Sequence, residues 1–281
     1  METRELQYFV AVAEELHFGR AAERLGMTQP PLSRAVQQLE RRLGVALLDR
    51  TSRGVALTPA GSVLLREGRA ALDAVTAAER RTRRAAAGDG RPRLVLVTKA
   101  GASVELLAKL LDAYAADPEA VAVEVLLCGP GEQEGLLRDG RADVALLHRP
   151  FDSTTGLDTE ELTTEGQVAV LPAGHPLTTR RELRLADLAA VPDLPLPRWP
   201  RADGRYPDGP GPEVRNHEQL FQLIALGHTM AVLPASVQVQ VRSGQVVVPL
   251  VDAPAVTTVI AWPPQSTSRA LAALVRTATR L

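Results

Sequence analysis

Residues 16–61, LHFGRAAERLGMTQPPLSRAVQQLERRLGVALLDRTSRGVALTPAG, constrain this chain more than any other stretch. Ala21, Ala22 and Leu25 share one face of a short helix, and Gly26 offers the left-handed conformation that ends it. Thr28 is a good N-cap for a second helix, with Pro30 and Pro31 in its first turn, where a missing N–H costs little. In that helix Leu32, Val36, Leu39 and Leu43 recur at four, three and four and predict the buried face. Gln29, Ser33, Arg34, Gln37 and Gln38 are left outward. Arg and Gln read base edges bidentately in the major groove, while Ser and Thr pair with bases or phosphates. An ordinary solvated helix pair would present a similar face. A tight turn of this chemistry between two short amphipathic helices, followed by a β-wing, points instead to double-stranded DNA.

The string HFGRAAERLGMTQPPLSRAVQQLERRLGVALLDR, followed by LTPAG, resembles the N-terminal domain of LysR-type transcriptional regulators. The match is long and ungapped. It implies a winged helix-turn-helix over residues 1–58 in which Gln29, Ser33 and Arg34 touch DNA and Arg50 and Arg53 flank the wing. Arg20, Thr28, Pro30 and Gln37 complete the candidate DNA-binding set. Leu48 departs from the family, which usually carries Phe there; the change falls under the wing and leaves the DNA-facing positions untouched.

Charge supports the same partner. Net charge is −1, yet residues 1–90 carry fourteen Arg against eleven acids, and residues 91–281 carry eighteen basic against twenty-two acidic side chains. A modest basic patch neutralises phosphates, and the acidic remainder limits non-specific adhesion to nucleic acid. The opening METRELQYF lacks the basic n-region and apolar core of a signal peptide. No apolar run reaches the ~18 residues that span a bilayer. A single cysteine excludes an internal disulfide framework. A cytoplasmic, bacterial protein with no membrane association is expected.

Residues 59–90 read as a linker helix, with Pro59 near its start and Gly88 at its end. Leu64, Gly68, Ala71, Val75, Ala78, Thr82 and Ala85 form a heptad-like seam of mostly small residues. A seam of this kind calls for a partner helix, or for packing on the chain's own C-terminal domain. In the resembled family this helix pairs antiparallel with its copy in a homodimer, and homotetramers form on DNA.

Beyond residue 91 short apolar strands alternate with helices: LVLVTK (94–99), VAVEVLL (121–127) and ADVALL (142–147), then later strands at 246–251 and 256–262. The alternation predicts βαβ units, a parallel sheet and an α/β fold. HPLTTRRELRLADL and LIALGHTMAVLPASV resemble the effector-binding domain of the same family, a two-lobed periplasmic-binding-protein-like fold. The resemblance implies one lobe at about 91–162 with 267–281 and another at about 163–266, joined by two crossover strands. PDLPLPRWPRADGRYPDGPGPE (192–213) holds too many prolines for a central strand and predicts an irregular loop.

Ligands of open α/β sheets sit beyond the C-terminal strand ends, at helix N-termini. This rule nominates Lys99, Gly101 and Ser103 after the first strand and Gly129 after the second. His148 follows the third, and Asn216 and His217 precede a helix of the other lobe, with Trp199 either a lid on the cleft or a cover on the adjacent lobe. One ammonium, a hydroxyl and helix amides at one end suit a small carboxylate or other anion, and the resemblance implies a small organic acid as effector. The competing reading pairs Lys99 with Glu105 or another acid. Cys128 lacks the partner that an internal disulfide sensor needs and is expected to be a small buried side chain.

Five histidines at 17, 148, 175, 217 and 228 have no metal-ligand spacing, and no nucleophile elbow, phosphate loop or dinucleotide fingerprint occurs. Neither catalysis nor a cofactor or metal is expected. A DNA-binding regulator switched by a small effector explains both halves of the chain. A regulator whose C-terminal domain only mediates assembly explains them as well, since nothing in the sequence requires an occupied cleft.

Overall fold

The computed structural model describes residues 1–51, 54–87, 92–201 and 204–281. Two compact units divide the chain, one built on Met1–Ala87 and the other on Gly88–Leu137 with Arg141–Leu281. The first contains α1 (Thr3–Glu15), α2 (Phe18–Arg24), α3 (Gln29–Leu43), the hairpin strands β1 (Leu48–Thr51) and β2 (Gly54–Leu57), and α4 (Pro59–Ala87).

Local chemistry explains where these helices begin and end. The His17 ring caps α2, its Nδ1 accepting the Gly19 and Arg20 backbone N–H groups at 3.0 and 3.2 Å. Gly26, at φ +64°, turns the chain out of α2. Thr28 stands at the N-cap position of α3, but its hydroxyl makes no capping bond. Leu32, Val36 and Leu39 are fully buried in a core with Phe9 and Phe18. At roughly 1.5–3 kcal/mol for each large apolar side chain, this burial fixes the rotation of α3 about its axis. Leu43 is a correction: it is 43% exposed, because α3 ends there at left-handed Gly44 and the fourth position of the stripe runs past the packed surface.

The TPAG segment is a joint. Thr58 Oγ1 accepts the Gly61 N–H at 2.9 Å and donates to the Ala46 carbonyl at 2.8 Å. A Cβ on Gly61 would fall on the Leu47 carbonyl oxygen. Wing and long helix are thereby locked at one corner. Along α4 the seam splits: Leu64 and Gly68 face the first core, with Gly68 against Leu6 and Val10, whereas Ala71, Val75, Ala78 and Thr82 are exposed.

The second unit holds β3 (Arg93–Lys99), α5 (Val104–Ala115), β4 (Ala122–Cys128), α6 (Gln133–Arg138), β5 (Val144–Arg149), β6 (Asp158–Glu165) and β7 (Gln167–Pro172). It continues with α7 (Leu185–Ala189), α8 (His217–Ala225), β8 (Ala231–Pro234), β9 (Gln245–Leu250), β10 (Val256–Trp262) and α9 (Arg269–Ala278). A larger sheet runs β4-β3-β5-β10-β6 and a smaller one β8-β7-β9. Only β4, β3 and β5 are parallel; β10 is antiparallel to both its neighbours, and the smaller sheet is antiparallel throughout. The expectation of a parallel sheet thus holds for the βαβ units alone. β10 lies inside the larger sheet, so the chain returns to the first lobe before Val256 rather than near residue 266. Residues 192–213 carry no strand among the described residues, only an isolated bridge between Arg198 and Glu213. No described helix is long and apolar enough to cross a membrane.

Candidate DNA interface and ligand cleft

The outward face of α3 opens with Gln29, and the side chains of Gln29, Arg34, Gln37 and Gln38 are exposed. These four make no side-chain hydrogen bond or ion pair within the described residues, so their donors and acceptors remain available. Ser33 is half-buried and partnered within the protein. Arg20 is committed to the end of α1, where its guanidinium meets the Glu15 carboxylate at 3.2 Å and the Glu15 carbonyl. Arg50 lies on β1 opposite Val55, and Arg53 falls outside the described residues.

Acidic side chains that sequence reasoning passed over set the angle of this face. Glu40, on the inner side of α3, accepts the Leu47 and Leu48 N–H groups at 2.9 and 3.1 Å. Glu5 clamps Arg42 near the end of α3 at 2.6 Å. Glu14 joins Arg24 of α2 and Arg69 of α4 at 2.7 and 2.8 Å. Burial raises the Glu14 carboxyl, but the two guanidiniums outweigh it and hold it below its ordinary value.

A cleft of about 470 Å³ opens in the second unit between elements of the two sheets. Lys99, His148, Trp199 and His217 line it, as do Asp152, Phe151 and Arg201, which sequence reasoning did not nominate. Gly101, Ser103, Gly129 and Asn216 do not. The Gly129 N–H is taken by the Glu132 carboxylate at 2.9 Å, and Asn216 Oδ1 caps α8 by accepting the Gln219 N–H at 2.9 Å. Gly101 lies behind the His217 ring, and Ser103 faces a second cavity of about 310 Å³.

Lys99 is already paired. Its ammonium stands 3.1 Å from Asp152 Oδ2 and 3.3 Å from Oδ1, with side chains only 14% and 6% exposed. The same carboxylate accepts the His148 backbone N–H at 2.8 Å and lies 3.5 Å from His148 Nδ1, too far for a formed hydrogen bond. Burial raises the Asp152 carboxyl, but His148 and Lys99 together outweigh it and keep it below its ordinary value. The partner acid of Lys99 is therefore buried Asp152 and not Glu105.

Ser103 is the N-cap residue of α5 at φ +52°, yet its hydroxyl turns away from the helix to His148 Nε2 at 2.8 Å. With Nδ1 facing a carboxylate, Nε2 is the acceptor and Ser103 the donor, an assignment made from the hydrogen-bond network. The order Ser103–His148–Asp152 parallels a hydrolase relay. Here the carboxylate is neutralised by Lys99 and stands off the ring, so the imidazole is not braced as a base. His217 Nδ1 donates to the Ala100 carbonyl at 2.9 Å, and its ring lies 5.6 Å from Trp199 and 6.2 Å from Phe221. Burial chiefly, with the charge of Lys99 nearby, holds His217 below its ordinary value. The Cys128 thiol is buried, touches the Thr98 carbonyl and is pushed up to about 12, the state of an unreactive side chain. Among the described residues no cluster of three or more His, Cys, Asp or Glu side chains could hold a metal ion.

A helix-turn-helix followed by a hairpin, with a two-sheet α/β unit enclosing a cleft, defines a DNA-binding regulator that carries an effector-binding type of domain. Residues 3–62 match the bacterial regulatory helix-turn-helix proteins of the lysR family, and residues 87–281 match the LysR substrate binding domain. The chain belongs to the LysR family of transcriptional regulators. It is 35% identical over 300 residues to the HTH-type transcriptional regulator IlvR of Caulobacter vibrioides, spanning 99% of this chain and 98% of that one. It is 39% identical over 202 residues to AlsR of Bacillus subtilis, covering 71% of this chain and 66% of the relative. The fold is similar to full-length CbnR in complex with its target DNA: TM-score 0.53, 26% identity, 100% of this chain and 99% of that one.

Proposed function

We propose that this regulator binds operator DNA as a homodimer through α3 and the wing, and that its cleft takes a small organic anion with an apolar body. Pairs of dimers assemble as tetramers on DNA. The observation that carries the ligand reading is the make-up of the cleft. Lys99 and Arg201 outnumber Asp152 among its charged groups, while Phe151, Leu196 and Trp199 offer an apolar wall. Lys99 keeps N–H donors beyond those used by Asp152, since an ammonium carries three.

For DNA, Gln29 and Arg34 read base edges, with Ser33 and Gln37 alongside, and Thr28, Pro30, Arg50 and Arg53 set the backbone register, whereas Arg20 stays with Glu15. That CbnR was solved with its target DNA supports this use of the shared fold. The exposed half of the α4 seam supports the dimer: Ala71, Val75, Ala78 and Thr82 are exposed among the described residues.

Both tryptophans, Trp199 and Trp262, lie in the second unit, and Trp199 lines the cleft. Full-length protein is titrated with a panel of aliphatic and aromatic carboxylates and with the matching primary amides, reading tryptophan emission and operator binding. A carboxylate that moves both signals, with its amide silent, supports the proposal. If amides act as well as acids, the anion reading fails. If no compound alters either signal, the C-terminal unit serves assembly alone.

A further inference from the structure

The loop 100–103 joins β3, which ends at cleft-lining Lys99, to α5, whose cap residue Ser103 holds His148. It belongs to the larger-sheet half, yet two side chains from the smaller-sheet half grip its backbone. His217, the first residue of α8, donates from Nδ1 to the Ala100 carbonyl at 2.9 Å. Gln240, which ends the 3-10 turn Ala235–Gln240 after β8, donates from Nε2 to the Gly101 carbonyl at 2.6 Å. The other end of that turn is tied to β6, where Ser236 Oγ donates to Glu165 Oε1 at 2.8 Å. Gly101 sits at φ +82°, and a Cβ there would come within 3.1–3.2 Å of the His217 Cγ, Cβ and Nδ1 atoms.

We infer that His217 and Gln240 form a two-point latch that positions loop 100–103, and through it Lys99 on the cleft floor and Ser103, which holds the cleft-lining His148. Consecutive carbonyls are held by donors from two different elements of the smaller-sheet half, so the loop cannot keep both bonds if the halves shift. The cleft therefore reads the placement of its two halves at its polar end. The His217 ring also lines the cleft beside Trp199, so a molecule bound against that wall bears directly on one latch point. This last step rests on the ligand reading above; the latch itself does not.

Hydrogen exchange on the full-length protein, free of ligand, tests the latch. The reporters are the Ala100 N–H, bonded to the Cys128 carbonyl, and the Ala102 N–H, bonded to the Lys99 carbonyl. His217→Phe keeps an aromatic ring and removes the donor. His217→Asn restores an N–H donor near the Nδ1 position. Gln240→Glu keeps the shape and replaces the donor with an acceptor, and Gln240→Leu removes polarity at a half-buried site. His217→Phe and both Gln240 variants should speed exchange in a peptide covering 100–104 by roughly fivefold each, the factor matching a net hydrogen bond of about 1 kcal/mol. Peptides from β3 and β5 should stay at the wild-type rate, and His217→Asn should fall back toward it. Unchanged exchange at 100–104 in the Gln240 variants overturns the latch. Acceleration spread evenly over the second unit also overturns it, because that marks general loss of stability and not release of the loop. Silence in the carboxylate titration beside a positive exchange result would remove the ligand reading and leave the latch standing.

Discussion

Lys99→Met isolates the buried ion pair at the cleft floor. At 3.1 Å and an effective dielectric of about 20, the Lys99–Asp152 attraction is about 5 kcal/mol before desolvation is subtracted. Removing one partner of a buried pair typically costs 3–5 kcal/mol, since the other charge is left behind. Lys99 is 14% exposed and Asp152 keeps the His148 N–H at 2.8 Å, so the lower end of that range applies, about 3 kcal/mol. For a unit of this size that is a fall in melting temperature of roughly 6–12 °C.

The pH dependence has a definite sign. In the wild type Asp152 lies below its ordinary value, so its contribution is present above the unfolded carboxyl pKa of about 3.9 and is lost as pH falls through the lower folded value. Without Lys99 the burial that raises this carboxyl is less opposed, and its folded value climbs. The variant's deficit is then largest near neutrality and shrinks as acid protonates Asp152. Asp152→Asn in the Lys99→Met background should recover most of the loss, because replacing both partners is close to neutral where replacing one is not. Urea unfolding followed by tryptophan emission reports this unit alone, since both tryptophans lie in it. A cost below about 1 kcal/mol at pH 7.5, a cost that grows as pH falls, or no recovery in the double variant would refute the reasoning.

Arg34→Ala should cost roughly 1–3 kcal/mol on the cognate operator and flatten preference at one base pair, measured by competitive binding to a site library; an equal loss on random DNA removes it as a base reader. Gly61→Ala should cost about 1–3 kcal/mol of stability in the first unit, because the clashing atom is the Leu47 carbonyl and backbone must move; calorimetry of full-length protein checks it. Val75→Glu places a charge in the exposed half of the α4 seam and should yield monomers in sedimentation runs while wild-type protein stays dimeric at micromolar concentration.

Local rules carried most of the element boundaries. Gly26, Pro30, Pro31 and Pro59 act within one or two turns of themselves, so these helix ends were readable without tertiary context. Long-range packing was not. Leu43 continues the periodic stripe of α3, but only the fold tells where the surface it would pack on stops. β6, DTEELTTE, escapes a hydropathy reading because its side chains are exposed or half-buried; it is a strand by virtue of pairing with β10. Glu5, Glu14 and Glu40 look like solvated helix charges, and their partners sit 37, 10, 55 and 7 residues away, beyond any i,i+4 rule.

The strand-end rule found Lys99, His148 and His217 because it asks only where a strand or helix stops, and those three do meet in the cleft. It could not find Asp152, which lies three residues beyond the end of β5 and turns back to accept the His148 N–H. That omission changes the chemistry. A free ammonium at a helix start would bind almost any anion, whereas a matched pair of 14% and 6% exposure presents no net charge to the cleft. An anion reaching Lys99 must share donors already turned toward a carboxylate and bring its own charge close to Asp152. Attraction for such a ligand then falls to Arg201, which is exposed, and so is screened at physiological salt. Selectivity consequently rests on shape against Phe151, Leu196 and Trp199 and on the few directed N–H donors, so a bare inorganic anion gains little here and an organic acid with an apolar body gains most.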